Sequence, residues 1–141
     1  AVPVAESGLV VPGDAKALAV LDLDQDGWAD FLLTRNNNTS LAFQNHGIAG
    51  HHSLKISLHG PAGNPTAVGA RITVEFSDGS TQTGEIYAGS AYYSQSTAAC
   101  FFGYLDARSP KRVRVRWPTG LTSEHPVPAN TSTLTIPAPA S

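Results

Sequence analysis

The sequence predicts an all-β protein, in which a short β-meander packs on an antiparallel β-sandwich or barrel. Three observations lead there. Apolar and polar residues alternate in Leu54-Lys55-Ile56-Ser57-Leu58 and again in Ala70-Arg71-Ile72-Thr73-Val74-Glu75-Phe76, the pattern of strands with one face inward. Turn formers punctuate the chain throughout, with 13 Gly and 10 Pro in 141 residues. Nowhere does the apolar spacing of an amphipathic helix persist.

Ala17-Leu18-Ala19-Val20-Leu21 is a short apolar run, and Trp28-Ala29-Asp30-Phe31-Leu32-Leu33 is a second. The acidic segment between them joins the two as a hairpin. Asn36-Asn37-Asn38 then turns the chain into a third strand, Leu41-Ala42-Phe43. Residues 14–45 therefore form a three-stranded meander, too small to hold itself together unless another sheet covers one face. Asn45-His46-Gly47-Ile48-Ala49-Gly50 reads as a compact junction and not as a flexible linker, which divides the chain into units 1–47 and 48–136. In the second unit the two alternating strands, the latter closed by the turn Asp78-Gly79, are followed by strands at 82–88, 98–102, 112–117 and 133–136. The tail 137–141 carries two prolines, which lack ladder donors, and cannot continue a central strand.

Composition excludes several classes. With 41% hydrophobic and 14% charged residues the chain is globular and not disordered. No window of about 18 consecutive apolar residues offers a membrane-spanning helix, so no membrane insertion is expected. The chain starts at Ala1 with no leader-like stretch, which is expected of a mature or excised piece. The net charge of −2 disfavours nucleic acid as a partner. That sum hides a split, because residues 1–47 carry six acids and two bases whereas residues 48–141 carry five acids and seven bases. Cys100 is alone, so no internal disulfide can form, and its apolar neighbours Ala98, Ala99, Phe101 and Phe102 predict a buried, inert thiol.

Four of the N-terminal acids fall within nine residues, Asp22-Leu23-Asp24-Gln25-Asp26-Gly27-Trp28-Ala29-Asp30. Carboxylates stand at loop positions 1, 3, 5 and 9, with Gly at 6 where a sharp turn requires it. Alternate side chains at this spacing converge on one side, and crowded carboxylates repel unless a cation neutralises them. Asp22, Asp24, Asp26 and Asp30, with the carbonyl of Trp28 at position 7, are thus the candidate ligands of Ca²⁺, a hard ion that takes six or more oxygens. Mg²⁺ fits less well because it keeps a small, hydrated octahedron, and the loop offers no His or Cys for zinc. An EF-hand would place Glu at position 12 between helices, whereas Leu33 stands there between strands. The ion is expected to fix the hairpin and not to act on a substrate.

Weaker candidates lie elsewhere. Arg112, Arg114 and Arg116 alternate with Val113, Val115 and Trp117, a guanidinium stripe that suits an anionic ligand or is balanced by acids on a neighbouring strand. Tyr92 and Tyr93, before Ser94-Gln95-Ser96, form either an aromatic sugar-binding patch or a turn whose tyrosines pack on the core. His46, His51, His52 and His59 lack the spacing of a zinc site and read as surface residues. No nucleophile elbow or phosphate loop is present, so no enzyme is expected; an accessory enzyme of secondary metabolism would need Arg71, Tyr93, Gln95 and Cys100 in one pocket.

The acidic loop, with Asp22, Asp24, Asp26, Gly27 and Asp30 in a D-x-D-x-D-G-x-x-D pattern, makes the first unit resemble one FG-GAP/VCBS repeat, a single blade of a β-propeller. Residues 52 to about 134 resemble the ASPIC/UnbV domain, named for a cartilage acidic protein and a bacterial homologue. The pieces that carry this likeness are residues 52–60, Val68-Gly69-Ala70-Arg71, residues 89–96, Phe102-Gly103 and Val115-Arg116-Trp117-Pro118-Thr119-Gly120. Ser53 stands where the family usually has Trp, and Phe102-Gly103-Tyr104-Leu105 replaces a Phe-Gly-Leu-Gly pattern. The resemblance implies a secreted or extracytoplasmic calcium-binding protein of adhesion or matrix, with a protein or glycan partner and with further propeller repeats preceding this segment. A purely structural cap on that propeller is the alternative, and it predicts an apolar face on residues 14–45.

Overall fold

A computed structural model describes residues 2–89 and 91–139. Ser90, within the 89–96 piece, and Ala140 and Ser141 of the tail lie outside the described residues, as does Ala1. The fold is all-β. One helical turn, α1 (Val4–Ser7), precedes ten strands: β1 (Ala15–Leu21), β2 (Asp30–Arg35), β3 (Asn38–Phe43), β4 (His51–His59), β5 (Arg71–Phe76), β6 (Thr81–Glu85), β7 (Ala99–Leu105), β8 (Pro110–Arg116), β9 (Thr122–Pro126) and β10 (Thr133–Pro137). They form three sheets, ordered β1-β2-β3, β10-β4-β7 and β6-β5-β8-β9.

The second and third sheets face each other as a sandwich. Leu54, Ile56 and Leu58 point inward from β4, Ile72, Val74 and Phe76 from β5, Val113 and Val115 from β8, and all are buried in one cluster with Trp117 and Ile136. Each such side chain contributes roughly 1.5–3 kcal/mol of transfer free energy, so this cluster dominates the stability of the chain. Strand alternation read from the sequence puts those of β4, β5 and β8 on one face of their strands.

Two features of the sandwich differ from the expectation. β10 runs parallel to β4, with Leu134 opposite Ile56 and Ile136 opposite Leu58, so the sandwich is not wholly antiparallel. Alternation reports which face is buried and carries no information on direction. β9 was not predicted, because its inward positions, opposite Val115 and Val113, are Ser123 and His125.

The meander forms as expected, with Asn36 and Asn37 turning β2 into β3 and Asn37 in the left-handed region at φ 49°. Its register aligns Leu18, Leu33 and Leu41 in one row and Val20, Phe31 and Phe43 in the next, on the same face. The meander packs on the sandwich as expected. Among the described residues, none of its side chains joins the buried core cluster, and polar contacts link the two units. The Thr97 N–H donates to the Val20 carbonyl (2.9 Å), the Ser94 hydroxyl to the Leu18 carbonyl (2.6 Å), and the buried Ser53 hydroxyl to the Gly27 carbonyl (2.8 Å). Gly27, at φ +93°, lies so close to Ser132 that a Cβ would meet the Ser132 carbonyl oxygen at 2.7 Å. The acidic loop is therefore pressed against the residue that leads into β10.

Candidate metal centre

Asp22 follows the last residue of β1 and Asp30 opens β2, so the hairpin itself brings the two ends of the acidic loop together. Carboxylate oxygens of Asp22, Asp24 and Asp30 lie within 4.8 Å of one another. Asp30 is fully buried, and its two oxygens accept from the Leu23 and Asn45 N–H groups, each at 2.7 Å. This carboxylate ties the loop to the chain that leaves β3. The side chain of Asp22 is also fully buried. Its Oδ2 accepts from the Gly27 N–H (3.2 Å) and from Lys55 Nζ (2.9 Å), whereas its Oδ1 is buried with no hydrogen-bond partner. Burial works against the charge of Asp22, but the Lys55 ammonium and the Gly27 N–H outweigh it and hold the carboxyl below its ordinary range. Asp24 Oδ1 accepts from the Asp26 N–H (3.4 Å), and its Oδ2 accepts from the Gln44 side-chain amide.

The convergence expected of four carboxylates is realised for three. Asp26 is exposed at the tip of the turn, where its Oδ1 accepts from the Trp28 N–H (2.8 Å) and stands outside the group. The indole of Trp28 lies against Gly47, where a Cβ would come within 2.7 Å of the ring. Three all-oxygen side chains, one with an orphaned buried oxygen, fit a hard divalent cation: an unmade hydrogen bond at a buried polar atom costs about 1–3 kcal/mol, and a metal–oxygen contact removes that cost.

Sequence reasoning missed Lys55, Gln44 and Ser53. All three reach the loop from 20 or more residues away, and Lys55 read as an outward position of an alternating strand. Only the fold reveals them: β4 brings Ser53 and Lys55 to the loop, and the end of β3 brings Gln44.

The remaining candidates are dispersed. On the guanidinium stripe, Arg112 lies 3.0 Å from Glu124 and 3.6 Å from Glu75, and Arg114 lies 2.8 Å from Glu124. Hydrogen bonds from these two arginines hold the Glu124 carboxyl below its ordinary range. Arg116 pairs across the ladder with Arg71, whose guanidinium is 2.7 Å from Glu85. The stripe is thus interleaved with acids from β5, β6 and β9. Tyr92 and Tyr93 do not pack on the core: they are 71% and 84% exposed and stack edge to face on each other at 4.3 Å. The tight turn that carries them, bridged from Ala91 to Ser94 with Tyr93 at φ 49°, turns both rings outward. His46, His51, His52 and His59 are exposed, and His52 stacks on Tyr104 while bonding Asp106 at 2.5 Å.

Among the described residues, a cleft of about 930 Å³ at the junction of the units is bordered by residues such as Trp28, His52, Tyr104 and Lys111, and not by Arg71, Tyr93, Gln95 or Cys100. Burial, with the nearby Glu85 charge, pushes the half-buried Cys100 thiol up to about 11. Because the thiolate is the reactive form, Cys100 is expected to resist a disulfide reagent at pH 8 in the native state and to react fully once denaturant is added.

Residues 60–141, more than half of the chain, match the family model described as ASPIC and UnbV. The chain belongs to the ASPIC/UnbV family. No curated protein matches it closely enough to count as a relative. Two of the pieces that resemble the ASPIC/UnbV domain have structural work in this fold. Residues 117–120 close the turn between β8 and β9, where the Gly120 N–H donates to the Trp117 carbonyl (2.9 Å) and the Trp117 N–H to the Leu121 carbonyl (2.8 Å). Around Val68-Gly69-Ala70-Arg71, the Gly69 N–H donates to the Ile86 carbonyl (2.8 Å) and the Ile86 N–H to the Ala70 carbonyl (3.0 Å), which extends the pairing of β5 with β6.

Proposed function

We propose that the chain is a calcium-binding, extracytoplasmic interaction module without catalytic activity, in which the ion stabilises the hairpin loop of the first unit. Asp22, Asp24 and Asp30 would hold the ion, with Asp26 and the Trp28 carbonyl as the further oxygens of the loop. Bound there, Ca²⁺ would supply charge neutralisation to the three carboxylates and a partner for Asp22 Oδ1. That orphaned oxygen, buried inside the acidic group, is the observation that carries the reading. In this reading residues 1–47 are an FG-GAP/VCBS-like repeat with further repeats before it, a likeness supported by the D-x-D-x-D-G-x-x-D loop. The partner is a protein or glycan. Tyr92 and Tyr93 are the favoured contact, since a pair of rings so far exposed offers large contact area at small entropic cost. Arg112, Arg114 and Arg116 would serve as a secondary, anion-preferring surface.

Titration calorimetry is expected to give one Ca²⁺ per chain, and chelator is expected to lower the melting temperature. A melting curve indifferent to both calcium and EDTA overturns the reading. A second reading, a structural cap on a β-propeller, is favoured by one observation: Leu18, Val20, Phe31, Leu33, Leu41 and Phe43 share one face of the meander, and none of them joins the core of the sandwich.

A further inference from the structure

The acidic loop already has a cation against it. Lys55 extends from β4, the middle strand of its sheet, and places Nζ 2.9 Å from Asp22 Oδ2, with its own side chain only 21% exposed and that of Asp22 not at all. Among the described residues, every other ion pair has both side chains about a third or more exposed, so this is the pair least screened by water. The contact also crosses the boundary between the units, beside the Ser53 hydrogen bond to Gly27 and the close approach of Gly27 to Ser132.

We infer that Lys55 is a resident counter-ion of the loop, which holds the acidic group together in the absence of metal and opposes the entry of a divalent ion. The inference rests on the calcium reading above. Two cations cannot both lie against one buried carboxylate without repelling each other, and the repulsion is strong where water is excluded. Without metal, the ammonium offsets the mutual repulsion of Asp22, Asp24 and Asp30. With metal, the same ammonium either leaves Asp22 or stays beside a divalent ion, and both alternatives weaken binding. Lys55 therefore sets the calcium concentration at which the loop fills. Because it stands on the sandwich, it also links that filling to the contact between the two units.

The test compares Lys55→Met with the parent chain by calcium titration and by melting in EDTA. Lys55→Met is expected to bind Ca²⁺ about tenfold tighter, or about 1.4 kcal/mol, and to melt at a lower temperature in EDTA. Lys55→Gln is expected to do the same, and it serves should the Met variant fold poorly. Lys55→Arg, which keeps the charge, is expected to remain near the parent. Lys16→Gln removes an equal charge from the exposed pair with Asp14 and is expected to leave the affinity unchanged. Equal or weaker calcium binding by Lys55→Met and Lys55→Gln overturns the inference and leaves the calcium site standing. So does an unchanged melting temperature in EDTA. Failure of the parent and of every variant to bind calcium overturns both.

Discussion

Asp30→Ala is expected to destabilise the meander by about 3 kcal/mol or more, in EDTA as well as in calcium. Its carboxylate accepts from the N–H groups of Leu23 and Asn45, both at 2.7 Å, and the side chain is fully buried. Removing it leaves two donors without an acceptor, each at the cost of an unmade bond to a charged group, and opens a void where the carboxylate stood. A residue that served only to hold metal would show no such loss in EDTA. Asp30→Asn keeps one carbonyl oxygen and should fall between. Hydrogen exchange at the Leu23 and Asn45 amides, with denaturant unfolding followed by Trp28 fluorescence, reads the effect. Unchanged exchange at both amides after Asp30→Ala would show that the carboxylate does not brace the loop.

Trp117→Ala is expected to cost about 3–5 kcal/mol and to leave calcium affinity unaltered among the molecules that remain folded. The indole is buried at the end of β8, and its Nε1–H donates to the Ser123 hydroxyl at 2.9 Å, so truncation creates a cavity between the sheets and removes a link to β9. Trp117→Phe fills most of that space but leaves the Ser123 hydroxyl to His125 alone, which bonds it at 3.0 Å. The midpoint of urea unfolding, measured in EDTA, should fall in the order parent, Phe, Ala. A loss equal to that of an exposed substitution would refute the role of this side chain as a core residue.

The sequence made the sandwich legible because the interior positions of β4, β5 and β8 are apolar and alternate, so that Ile72, Val74 and Phe76 or Val113 and Val115 declare their face without knowledge of any neighbour. β9 stayed hidden because a strand whose inward residues are Ser123 and His125 carries no apolar signal. The direction of β10 stayed hidden because side-chain alternation is the same in parallel and antiparallel strands. At the acidic loop the spacing of Asp22, Asp24 and Asp30 was legible, since local turn geometry brings alternate residues together. Asp26 departed because its side-chain Oδ1 accepts from the Trp28 N–H, which commits the carboxylate to the tip. Lys55 could not have been found at all from spacing: 33 residues separate it from Asp22, and only the fold closes that distance. Tyr92 and Tyr93 departed for the opposite reason, since a bulky aromatic pair in a predicted core protein suggests burial, whereas the turn of Ala91 to Ser94 offers no inner face to bury them against.

Strand β4 ends at His59, one residue before the matched span begins, yet it runs between β10 and β7 and brings Leu54, Ile56 and Leu58 to the interior. A gene trimmed to residues 60–141 would therefore encode a sheet lacking its centre, with the backbone groups of both flanking strands bared to water and the facing aliphatic layer uncovered. The span that the family model matches and the span that the sheet requires thus have different starting points, and any excised version of this protein has to begin no later than the first residue of that strand.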